Sequence, residues 1–397
     1  MALKAFAYNK TTLIFFFLVL PPILRSFLNV ENGSITKILL YSIYWIPLFL
    51  LPYNNFKRLK QKYNNSFVYL FLCILIIGIF YIIKDINKGE IMTLLGNPLI
   101  GLPFLLPIYV LLSDKLTFWE SLIKLSSTLI LFLPIFLIAN LSIEGLLNIT
   151  TPLSFIILPY LSKNKKWIPY INLFIVLIWV FLLEGQRYML LLQIFSILNW
   201  GIVYLIKKRI ITKFLIAIII IIPVISFCMS IINKESVFSS LNQYTSNEEM
   251  SADTRTFLYV ELFDDLSRTD SWLMGKGPLG RYYSNYFDTL TDVNGDSASR
   301  IGIEVGILQY LLKGGIIYLS LYLLILIGAI IFSLTKKRML LFHSFAFLLA
   351  THFFMLFIYE LPTYSLMNAV YWLMIGTCFS KKWLNMTDQE VKTYFKL

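Results

Sequence analysis

An all-α membrane protein with about twelve transmembrane helices and one large, partly helical extracytoplasmic loop is the fold class this sequence predicts. Three observations carry it. The chain is 58% hydrophobic and only 14% charged, where a soluble chain of this length is about 25% charged. Apolar runs of about 20 residues, the length that crosses a bilayer, recur along it. Its basic clusters all follow even-numbered runs, as a single membrane orientation requires.

Taken in order, the spans fall near 11–28, 35–53, 67–83, 91–112, 120–139, 145–162, 167–183, 188–206, 213–232, 305–334, 340–358 and 361–380. The first run has no small-residue cleavage site after it and reads as a retained span. Lys57, Arg58, Lys60 and Lys62 follow the second span, and Lys163, Lys165 and Lys166 the sixth. Lys207, Lys208, Arg209 and Lys213 surround the turn after the eighth. Lys336, Lys337 and Arg338 follow the tenth, and Lys381 and Lys382 the last. The positive-inside rule then puts both termini in the cytoplasm. The net charge of +12 is accordingly a topology signal, and its scatter over short loops argues against nucleic-acid binding. Cys73, Cys228 and Cys378 lie in apolar runs and read as small packing residues, with no disulfide framework.

The organisation is a membrane domain of about nine spans over 1–232, a cap loop over 233–301 and a second membrane portion of about three spans over 302–397. The loop holds 11 of the 22 acidic residues and 6 of the 34 basic ones, so it carries −5 while the rest carries +17. It follows the ninth span and therefore lies outside the cytoplasm. The run from Val305 to Leu334 would be about 45 Å long as one helix, too long for a core of roughly 30 Å. Lys313-Gly314-Gly315 sits inside it, so a short surface helix, a break near Gly314 and then the span proper are expected.

Four groups of residues bear on chemistry. Arg187, in Glu184-Gly185-Gln186-Arg187, stands at the outer end of the eighth span. A snorkelling anchor and a guanidinium fork gripping a lipid phosphate are both open to it. In the loop, Asp253-Thr254-Arg255-Thr256 opens a helix through Leu258, Glu261, Leu262 and Leu266. Gly275-Lys276-Gly277 follows, with Gly280 and Arg281 close by; glycines around a lysine can cradle phosphate on backbone N–H groups, although most such turns are simply turns. The outer carboxylates Asp253, Glu261, Asp296, Glu304 and Glu360 are ordinary solvated acids for the most part. Glu304 stands out because the chain re-enters apolar territory there, where loss of water raises a carboxyl group's proton affinity toward the range useful to a base. His343 and His352, nine residues apart inside the eleventh span, read as polar core residues, and no metal site is visible.

The layout and these motifs resemble the O-antigen polymerase and ligase superfamily, in its Wzy-type polysaccharide polymerase branch. The resemblance rests on the span pattern with one dominant late outer loop, on Gly185-Gln186-Arg187-Tyr188, on Arg255 with Gly275-Lys276-Gly277, and on the stretch from Ile307 to Gly315. It implies transfer of a growing glycan from an undecaprenyl-pyrophosphate carrier to the non-reducing end of a lipid-linked repeat unit, at the outer face of the bacterial inner membrane. Carried onto these positions, Arg187 and Arg255 would hold the pyrophosphate. Lys276, Gly275, Gly277, Arg281 and Asp253 would add contacts to donor and glycan, and Glu304 would accept the attacking hydroxyl's proton. No cofactor is expected, because the donor is activated by its own pyrophosphate bond; the partners are donor and acceptor lipid, membrane lipid and a chain-length regulator protein. Ligases of the superfamily carry a His-Asn pair where this chain has Glu304-Val305, which favours the polymerase over the ligase. A transporter or flippase of lipid-linked oligosaccharides, which typically has short loops and charges at mid-membrane, is the competing class.

Overall fold

Long apolar stretches without turn chemistry form helices because, away from water, each backbone group must bond within its own segment. The computed structural model describes residues 2–27, 40, 42–87, 89–139, 141, 143–182, 188–233, 256–284, 299–336, 339–359 and 361–395. Its longer helices are α1 (Ala2–Phe27), α2 (Asn65–Ile86), α3 (Leu116–Ile138), α4 (Glu144–Leu153), α5 (Ile168–Leu182), α6 (Tyr188–Trp200), α7 (Arg209–Asn233), α8 (Thr256–Arg268), α9 (Gly306–Lys336), α10 (Leu340–Leu356), α11 (Leu366–Phe379) and α12 (Asp388–Phe395). Among the described residues, the strand structure consists of one two-stranded pair, with Tyr282 opposite Arg300 and Tyr283 opposite Ser299.

Among the described residues, six helical stretches are long and apolar enough to cross a membrane: Asn65–Ile86, Leu116–Ile138, Lys163–Leu182, Tyr188–Ile206, Arg209–Met229 and Gly306–Thr335. Shorter apolar helices cover Lys10–Leu24, Leu102–Leu112, Leu340–Leu356 and Leu366–Phe379. The run expected as one span over 91–112 is split into a helix, Ile91–Gly96, and a 3-10 segment, Leu102–Leu112. Prolines at 98, 103 and 107 remove the backbone donors that a continuous helix would use. The run over 145–162 likewise ends as a helix at Leu153, just after Pro152.

The central layer is α9, α10 and α11 with the Leu102–Leu112 segment, flanked by α2 on one side and α7 on another; α1, α3, α4, α5 and α6 complete the bundle. Close approaches are licensed by small residues. A Cβ at Gly78 would lie 2.7 Å from the Phe104 carbonyl oxygen, and one at Gly376 would lie 2.4 Å from Ser113 Oγ. Indole and amide groups form hydrogen bonds between elements inside. Trp119 Nε1 donates to Thr377 Oγ1 at 3.2 Å, Trp383 Nε1 to the Ser113 carbonyl at 2.9 Å, and Asn172 Nδ2 to Gln193 Oε1 at 2.8 Å. Outward faces are apolar: Ile76, Phe80 and Ile83 on α2 and Ile210, Phe214 and Ile221 on α7 are exposed, as a lipid-facing surface would be.

The expected break in the long tenth run is present, at Gly315 (φ 63°, ψ −173°). The short helix before it, 305–315, is buried, and α8 packs upon it. Leu258, Leu262 and Leu266 of α8 meet Ile303, Val305, Leu308 and Leu312 in a second core, separate from that of the bundle. The repeat of 4 residues along α8 puts those leucines on one face, which is why the cap docks by that face.

Candidate functional site

Breaking a helix inside a protein frees carbonyls and N–H groups that must find partners. At the α9 break the cap supplies most of them. Lys276 N and Gly277 N donate to the Leu312 and Lys313 carbonyls at 2.7 and 3.0 Å, and Ile316 N and Ile317 N donate to Trp272 and Leu273 at 2.9 and 3.2 Å. The Tyr81 hydroxyl of α2 donates to the Gly314 carbonyl at 3.0 Å. Gly275 and Gly277 take left-handed conformations (φ 64° and 82°), and a Cβ on Gly275 would lie 2.5 Å from Gly315 N.

This geometry corrects the phosphate-cradle reading of Gly275-Lys276-Gly277. Gly275 N donates to the Ser271 carbonyl at 2.8 Å, so all three N–H groups of the turn bond within the protein. The Lys276 ammonium pairs with Asp265, which Arg268 also contacts at 3.1 Å, and reaches the Arg281 carbonyl at 3.2 Å. The glycines are therefore splice residues between cap and broken helix. Arg281 is exposed beside this turn. Glu304 is exposed in the turn before α9, so the loss of water expected around it is not found. Glu261 accepts a 2.6 Å hydrogen bond from Ser284 Oγ. Arg187, Arg255, Asp253, Asp296 and Glu360 lie outside the described residues. His352, by contrast, is a core group as expected: its Nε2 is 2.6 Å from the Tyr322 hydroxyl and its ring stacks on Tyr371 at 3.8 Å. His343 is buried on the same helix.

A cavity of about 280 Å³ opens at the end of the bundle away from the lysine-rich turns, among α1, α4, α6, α10 and α11. Its walls combine aromatic rings with amide, hydroxyl and carboxylate groups. Glu144 and Asn148 line it from α4. Their spacing of four places them on one face, and an acid in the first turn suits the positive end of the helix. Tyr188 begins α6 directly after Arg187; its hydroxyl donates to Asn148 Oδ1 at 2.7 Å, and its ring stacks on Tyr359 at 4.3 Å. The opposite wall is the link between α10 and α11. Ser365 caps α11, and Asn368 Nδ2 donates to the Leu361 and Thr363 carbonyls at 3.3 and 2.9 Å. The Tyr364 hydroxyl meets that of Tyr109 at 2.6 Å.

The cap meets the C-terminal end of α10 near this cavity. The Tyr259 hydroxyl of α8 donates to the Phe357 carbonyl at 3.1 Å, two residues before Tyr359. The rings offer flat apolar faces, and Glu144, Asn148 and Thr363 offer hydrogen-bonding groups between them. Sequence reading passed over Glu144, although it is a lone acid between two apolar runs. It also had no means of pairing Asn148 with Tyr188, forty residues on. No protein-family model, curated protein or solved structure matches this chain.

Proposed function

We propose that this protein is a polysaccharide polymerase, for O-antigen or capsule, acting on undecaprenyl-pyrophosphate-linked glycans at the outer face of the bacterial inner membrane. In this reading the six long and four shorter apolar helices, with the runs near 35–53 and 145–162, make up about twelve spans, both termini are cytoplasmic, and the cap is extracytoplasmic. The single observation that carries it is the aromatic and polar cavity at the cap end of the bundle, whose wall residue Tyr188 directly follows Arg187. A sugar ring suits those walls, and an arginine next in the sequence suits its diphosphate.

The reaction asks little covalent chemistry of the chain. The acceptor hydroxyl attacks the donor's anomeric carbon, the bond from that carbon to the phosphate oxygen breaks, and undecaprenyl diphosphate leaves with the electron pair. Arg187 and Arg255 neutralise the charge on the leaving group. A carboxylate takes the hydroxyl's proton. Glu304 is the candidate from the sequence, and Glu144, which lines the cavity, is the candidate from the geometry. The splice of cap and α9 holds the cap against the bundle, which favours placing two long lipids in register.

Incubation of the purified chain with a defined lipid-linked repeat unit, read on a gel, tests the proposal. A ladder of polymer is expected, and it persists with a chelator present. Repeat units carried across a vesicle membrane with no new glycosidic bond would instead establish a transporter, and transfer to a lipid A core would establish a ligase.

A further inference from the structure

The basic end of the bundle carries a second, independent arrangement. The π-helical turn Gly201–Ile206 that extends α6 ends at Lys207 in a left-handed conformation (φ 57°); π turns are rare and concentrate at functional places. Lys207 and Lys166 face a common hollow of about 370 Å³, floored by Trp200 and Tyr170. Among the described residues neither ammonium has an ion-pair partner. Arg209, close by, is occupied with the Leu334 and Thr335 carbonyls at the end of α9, and the Asp388 carboxylate with the N–H of Leu340.

Tyr170 also lines a second hollow, a groove of about 540 Å³ between α3 and α5 with almost wholly apolar walls. Along α5 it runs from Trp167 to Ile178, about 16 Å of helix, which is the depth of one leaflet of a roughly 30 Å core. Trp167 (52%), Tyr170 (51%) and Phe174 (64%) are largely uncovered there. Tyr170 is thus shared by the paired-lysine pocket and the apolar groove.

We propose that this composite is a binding site for one anionic phospholipid of the leaflet next to the lysine-rich turns, its phosphate between Lys166 and Lys207 and an acyl chain along α5. Two lysines select negative headgroup charge, and the groove selects a tail, so neither a zwitterionic lipid nor free phosphate satisfies both halves.

The test uses the full chain reconstituted in nanodiscs of phosphatidylcholine with a minority of phosphatidylglycerol, followed by native mass spectrometry of the lipid retained. Wild-type protein is expected to retain phosphatidylglycerol preferentially, even with excess inorganic phosphate. Lys166→Gln and Lys207→Asn, the latter tolerant of the left-handed backbone, each lower that preference about fivefold. Lys165→Gln, in the same turn but outside the hollow, leaves it unchanged. Equal retention of both lipids, an equal loss in Lys165→Gln, or displacement by inorganic phosphate would each overturn the proposal. Because both lysines are exposed, the variants keep the wild-type helical circular dichroism, and polymer formation is a separate readout.

Discussion

The Lys313 ammonium, buried in α9 just before the glycine pair, donates to the Pro278 carbonyl at 2.7 Å, and the same nitrogen holds the Gly280 carbonyl at 2.7 Å. From the other side, Asp85 Oδ2 at the end of α2 accepts the N–H of Leu279 at 2.8 Å. The loop that closes the cap is therefore pinned by one buried cation and one buried anion from two helices. Hydrogen bonds to a charged donor contribute about 1.5–3 kcal/mol each, and a carbonyl left dry and unpaired costs about 1–3 kcal/mol.

Lys313→Met keeps the side-chain volume and removes the donor. It is expected to destabilise the protein by about 3 kcal/mol and to expose the 276–281 loop to protease. Lys276→Met, by contrast, leaves Asp265 with Arg268 and costs about 1 kcal/mol. Thermal unfolding in detergent and limited proteolysis of both variants check the order; equal effects would show that the loop is not held through Lys313.

Gly315→Ala is expected to be more damaging than either. Its φ of 63° with ψ of −173° lies in a region that is essentially glycine-only, and an added Cβ would sit 2.4 Å from Gly275 N and from the Leu273 carbonyl oxygen. Backbone cannot give way as a flexible side chain can. The cap and the broken helix would separate, with loss of folded yield or a large fall in melting temperature. Gly328→Ala, where a Cβ meets Phe379 at an ordinary 3.7 Å, serves as the control and should be close to neutral.

Tyr282 ties the cap's stability to pH. Burial is the main cause that pushes its phenol up from 10.0 to about 12, with Glu261 and Glu304 adding to the shift and Arg300 opposing it. A folded-state value above the unfolded one means stability that is complete below about pH 10 and is lost as pH climbs toward 12. Protease sensitivity of the cap should therefore rise across that window in the wild type. Tyr282→Phe should show a smaller rise, and identical profiles would refute the assignment.

Legibility in the sequence followed the range of the interactions. Spans such as 67–83 and 213–232 were readable because twenty apolar residues decide the matter locally. The break near Gly314 was readable because two adjacent glycines mark it. What the break is for was not readable: the ladder from 272–277 to 312–317 joins segments some forty residues apart, and only the fold shows that Gly275 and Gly277 admit a helix backbone and not a phosphate. The three prolines at 98, 103 and 107 that interrupt the 91–112 run stand in plain view in the sequence. In the sequence Arg187 stands out by its charge at a boundary, whereas Glu144, Asn148 and Tyr359 look ordinary until α4, α6 and α10 converge around the cavity.

That convergence yields the prediction that separates the two carboxylates. If Glu144 accepts the proton of the attacking hydroxyl, Glu144→Gln should lower kcat about a hundredfold or more with KM little changed, the size expected for loss of a positioned base. Glu304→Gln, at an exposed turn position, should then retain most of the rate. Tyr188→Phe removes the hydroxyl bonded to Asn148 but keeps the ring stacked on Tyr359, so it should raise KM a few-fold, about 1 kcal/mol of binding. Arg187→Ala and Arg255→Ala should abolish polymer while the protein still inserts in the membrane. Steady-state rates with a defined lipid-linked repeat unit distinguish these cases. A slow Glu304→Gln beside a fast Glu144→Gln would return the base to the turn before α9, and full-length polymer from either arginine variant would remove the diphosphate grip.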